Sequence, residues 1–82
     1  MLHSIHHYAN VATESQSLDD IDTFRKCLNK KLCDRLRTAR NSRYNDIRQL
    51  DLLTRAICIV RTDKTQLGGL TDIYNKFFNN NL

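Results

Sequence analysis

Three histidines stand near the start of the chain, His3, His6 and His7. Imidazoles gathered on adjacent helical turns can bind zinc, copper or nickel. No aspartate, glutamate or cysteine stands beside them in sequence to complete a ligand set, so no metal is expected and they read as exposed terminal side chains. Cys27, Cys33 and Cys58 are the cysteines, and an odd number cannot pair fully within one chain. None forms a C-x-x-C, and three reduced, structural thiols in a reducing compartment is the expected state. Cys58 has no histidine near it in sequence to act as a base, and no Gly-rich phosphate loop is present. The aspartates are scattered beside basic residues, where salt bridging is the ordinary role. These residues point to no catalytic site and no cofactor.

Charge is the second candidate chemistry. The net charge of +4 is distributed as −4 over residues 1–24, +7 over residues 25–48 and +1 over residues 49–82. Lys26, Lys30, Arg37 and Arg40 fall within about 80° on a helical wheel, with Cys33 between them. Such a row can lie along phosphates, which makes 25–48 a candidate nucleic-acid-binding block. Asp34 interrupts the row from Lys26 to Arg40, and no aromatic residue interleaves that row for base stacking. Any such binding is therefore expected to be weak and electrostatic. A helix-turn-helix is poorly matched, because the turn near Asn41 lacks glycine.

Apolar surface is the third. Tyr74, Phe77 and Phe78 cluster near the chain end, where with Ile73 they either cap the core or, being large aromatic side chains, anchor a protein interface. Leu52, Ala56 and Ile59 form a second apolar row beside the main stripe of their helix. These six residues are the expected protein-binding or self-association surface.

The elements that must position these groups are helical. The chain has no proline, and Gly68 and Gly69 are its only glycines, which disfavours a turn-rich sheet protein. Leu2, Ile5, Ala9 and Ala12 predict a short first helix, with a turn at Thr13 to Ser17. Ser17 is placed to cap the amide of Asp20, and Asp19, Asp20 and Asp22 suit a helix N-terminus. Leu18, Ile21, Phe24 (or Arg25 by its stem), Leu28, Leu32, Leu36 and Ala39 then give one stripe over 18–40. Arg35, Arg37 and Arg40 suit that helix's negative end, and Asn41-Ser42 suits a turn. A third helix is expected over 43–62, with Ile47, Leu50, Leu53, Ile57 and Val60 on its main stripe. With the second row its apolar arc is about 240° wide. A helix so apolar is central to a core or shared with another chain, hence the expectation of a homodimer. A break at the glycines, preferred over a longer helix that starts at Asp63 or Thr65 and runs through them, precedes a fourth helix carrying Leu70, Ile73, Tyr74, Phe77 and Phe78.

The expected fold is all-α, a small bundle of about four helices with a long central hairpin, in one domain covering 1–82 and fraying over 79–82. A chain of 82 residues buries a thin core, so self-association is one way to supplement it. The start lacks the basic, apolar pattern of an export signal. The longest strictly apolar run, Ala56 to Val60, is too short for a bilayer. A cytoplasmic location is expected. In its length, helical character, Asn-rich end and lack of a membrane segment, the chain resembles the cytoplasmic antiholins of T-even bacteriophages, the lysis-inhibition proteins. The resemblance covers general character only and assigns no residue. It implies a regulatory protein in the host cytoplasm that binds the cytosolic part of a holin and delays lysis.

Overall fold

The computed structural model describes residues 4–41, 47–62 and 67–79, and all regular structure among them is helical. The elements are α1 (Ile5–Ser15), α2 (Leu18–Arg40), α3 (Ile47–Thr62) and α4 (Leu67–Phe78). The all-α, four-helix class expected from the sequence is the one observed.

Ser4 starts α1: its backbone is extended and its Oγ accepts from the amide of His7 at 3.4 Å. Ile5, Ala9 and Ala12 are buried, as their spacing predicts, while Leu2 lies outside the described residues. The turn expected over Thr13 to Ser17 is shorter than that. Thr13 remains helical, its hydroxyl donating to the Ala9 carbonyl at 2.8 Å. The reversal is confined to Gln16 and Ser17. Gln16 adopts the left-handed conformation at φ 53°, and its amide donates to the Ala12 carbonyl at 2.9 Å. That bond closes the helix end in the manner usually given to glycine, which is why residue types misplace the boundary.

Ser17 caps α2 as its position predicts, its Oγ accepting from the Asp20 amide at 3.2 Å. Ile21, Phe24, Leu28 and Leu32 are buried, and Leu36 and Ala39 are half-buried against them. Leu18 departs from the expected stripe: it is 71% exposed. The Arg25 side chain retains only 13% exposure, so its stem does lie against the core. α2 packs most extensively on α3 and next on α1, forming the central hairpin.

Leu53, Ala56, Ile57 and Val60 form the buried stripe of α3. Residues 43–46 of the expected helix lie outside the described residues. The core draws on all four helices, with Phe24, Leu28, Leu32, Leu53, Leu70 and Val60 almost wholly enclosed. Truncating a leucine at such a position typically costs about 2–5 kcal/mol.

The expected break at Gly68-Gly69 is absent. Both glycines belong to α4, and neither has a positive φ. They occupy its first turn, where backbone amides have no intrahelical acceptor in any case, and the preceding Leu67 packs against the core. Leu70, Ile73, Tyr74 and Phe77 then face inward.

Candidate binding surfaces

The six residues expected to bind protein do not share one environment. Ala56, Tyr74 and Phe77 are buried within the chain itself, Leu52 and Phe78 are half-buried against the core, and Ile59 is 46% exposed. Tyr74 is fixed from two sides. Its ring meets Phe24 edge-on at 5.8 Å, and its hydroxyl is hydrogen-bonded to Nδ1 of His6. Burial raises the Tyr74 phenol above its ordinary pKa. His6 is thus joined to the core aromatic cluster, a role its sequence neighbours did not suggest. Among the described residues no group of three His, Cys, Asp or Glu could hold a metal ion.

Leu52 and Ile59 lie seven residues apart, about 20° from one another on the helix. On the opposite side of the buried stripe Arg61 reaches α2, its Nε donating to Asn29 at 3.2 Å. Leu52 and Ile59 therefore lie on the other flank of the buried stripe from Arg61. Ile47, at the start of α3, is 79% exposed.

Phe78 is covered from above by Arg35, whose guanidinium carbon lies 5.0 Å from the ring centroid. The same guanidinium donates to the carbonyl of Phe77. A cation at the last turn of a helix meets the partial negative charge of its unpaired carbonyls. Arg35 therefore serves the end of α4.

The basic residues also divide. Lys26 is 3.2 Å from Asp22, and Arg25 is 2.9 Å from the same carboxylate. Lys26 first, with Arg25, holds the Asp22 carboxyl below its ordinary pKa. Arg25 Nε and Nη2 are buried without a hydrogen-bond partner among the described residues. Arg25 sits beside an open cleft of about 430 Å³ that also holds Leu18, Asp19 and Arg61. Arg37 and Arg40 stand exposed on the last turns of α2.

Lys26 and Lys30 meet Lys31 along a groove of about 400 Å³, walled by Tyr8 of α1 and by Cys27. Burial pushes the Cys27 thiol up, against the pull of Lys31 and Lys30. Cys27 and Cys33 are half-buried, Cys58 is exposed, and all are free thiols. Tyr8 was not a sequence candidate, because it lies far from the basic block along the chain. Only the packing of α1 on α2 joins them.

The chain matches no protein-family model, no curated protein and no solved structure. No helix among the described residues is long and apolar enough to cross a membrane.

Proposed function

We propose that this chain is a non-enzymatic helical regulator that acts by binding protein, including a second copy of itself, through the outer flank of α3. The observation that carries this reading is the Leu52–Ile59 pair. Aliphatic residues scattered singly over a surface need no explanation. Two at a seven-residue spacing on one helix flank make a seam of the kind helices use to pair. The aromatic residues of α4 contribute unequally. Tyr74 and Phe77 support the core, and Phe78 is the member left with accessible ring.

The antiholin resemblance supplies the partner for this reading: the cytosolic part of a holin, held in a state that cannot proceed to lysis, with the regulator located in the host cytoplasm. The test is a titration of the purified chain with a soluble cytosolic segment of a T-even holin, followed by calorimetry. Saturable binding that is lost in Ile59→Glu supports the reading. No binding at any accessible concentration removes the antiholin assignment, and binding unaffected by Ile59→Glu removes the α3 flank.

A further inference from the structure

The basic row of α2, Lys26 to Arg40, has no aromatic residue within it along the sequence, but it does not lack one in space. Tyr8 of α1 walls the groove whose rim carries Lys26, Lys30 and Lys31. The groove of about 400 Å³ lies within the range of small-ligand sites. Its apolar surface comes from Tyr8, Cys27 and the lysine stems, and its charge from the ammonium groups. Lys30 and Lys31 have no carboxylate within ion-pair distance among the described residues, whereas Lys26 is shared with Asp22. Asp34 is the one acidic side chain on the rim.

An aromatic side chain beside several cations matches a nucleotide unit, in which a base has a π-face and its neighbouring phosphates are anionic. The cations also continue beyond the groove. Lys26, Lys30 and Arg37 share one exposed strip of α2, extending about 16 Å at 1.5 Å per residue. A row of that length suits a strand carrying successive phosphates better than one free nucleotide. We propose that the α1–α2 groove binds single-stranded nucleic acid, seating one base against Tyr8 and its flanking phosphates on Lys26, Lys30 and Lys31. This surface is separate from the α3 flank, so the two readings stand or fall independently. The rim's polar groups are mainly cations suited to phosphates, so the site selects unpaired strands over duplex with little preference among sequences.

The experiment is a fluorescence-anisotropy titration of the full chain with labelled oligothymidylate and oligouridylate of about twelve nucleotides, a length within reach of a small domain. Neutralising three phosphates gives a log–log salt slope of about −2. Lys30→Gln combined with Lys31→Gln should reduce that slope to about −0.7 and leave helicity unchanged. Tyr8→Ala should weaken binding by about fivefold or more, as loss of one stacked base does, while Tyr8→Phe retains it. Because Tyr8 also packs against the core, each variant's melting curve is compared, and the lysine pair provides a test free of that packing. Equal or tighter binding of the corresponding duplex overturns the proposal. So does polyglutamate of similar length binding as well as the oligonucleotides, which would make the groove a site for acidic peptides. Binding that ignores both the lysine pair and Tyr8 places the strand elsewhere and also overturns it. Oligothymidylate and oligouridylate binding alike supports the proposal without distinguishing DNA from RNA. A preference for one identifies the source of the strand.

Discussion

Arg35 lies over the ring of Phe78, 5.0 Å from its centroid, while donating to the carbonyl of Phe77. One cation of the basic block is thereby committed to holding the C-terminal helix on α2. Removing it loses a cation–π contact worth about 0.5–1 kcal/mol and a charge-assisted hydrogen bond of about 1.5–3 kcal/mol, both reduced by exposure to solvent. Arg35→Ala should destabilise the fold by about 1–2 kcal/mol, and Arg37→Ala by less than about 0.5. Urea unfolding of the two variants checks this. Equal effects would mean that Arg35 is one more solvated cation.

Phe77 and Phe78 are adjacent but should respond differently to truncation. Phe77 is 7% exposed, and Phe78 is only half-buried. Phe77→Ala should cost about 3–5 kcal/mol, enough to unfold much of so small a domain, and Phe78→Ala clearly less. Thermal melts followed by circular dichroism would reveal it. A larger loss at Phe78 would contradict the packing of α4.

The α1–α2 junction should be sensitive to acid. The Ser15 hydroxyl donates to the Asp20 carboxylate and, with the Ser17 hydroxyl after it, holds its pKa below the ordinary value of 3.8. A carboxyl whose folded pKa is depressed adds stability above its unfolded pKa, and that stability fades as pH falls through the folded value. The junction's contribution should thus be intact at neutral pH and begin to fade as pH falls below about 4. Carbon-detected NMR titration should find the Asp20 pKa returning toward its ordinary value in Ser15→Ala. An unchanged value would show that the hydroxyl does not matter. Ser17→Ala should separately cost about 1 kcal/mol through the lost cap.

Two backbone positions are open to improvement. Gln16 holds a left-handed conformation, which costs a side-chain-bearing residue about 1–2 kcal/mol. Glycine recovers this less its own entropy, so Gln16→Gly should stabilise by about 0.5–1 kcal/mol. Gly68 is the reverse case: helical, and with nothing within 4 Å of an added Cβ. Gly68→Ala should stabilise by up to about 1 kcal/mol. Either variant melting lower than the parent would contradict the local geometry.

The central helix was legible in the sequence because several signals agreed there. The Ser17 cap, the aspartates of the first turn and the leucine spacing all mark the helix that runs from Leu18 to Arg40. The reversal at Gln16 and the glycines inside α4 were not legible, because residue type argues against the conformation each adopts. Which apolar residues of α3 and α4 stay accessible was also hidden. Periodicity groups Leu52, Ala56 and Ile59 together, but the packed neighbours decide that Ala56 is covered and Ile59 is not. Contacts between distant segments, His6 with Tyr74 and Tyr8 beside Lys30, have no sequence signature at all.

The α3 flank is tested most directly by the mass of the chain in solution. Light scattering coupled to gel filtration, over a dilution series from about 100 µM to 1 µM, spans the range in which a seam of modest area should dissociate. The parent chain should be a dimer at the upper end, and Leu52→Glu combined with Ile59→Glu should be a monomer of unchanged helicity throughout. A parent chain that is monomeric at every concentration, or a variant that remains dimeric, would contradict it.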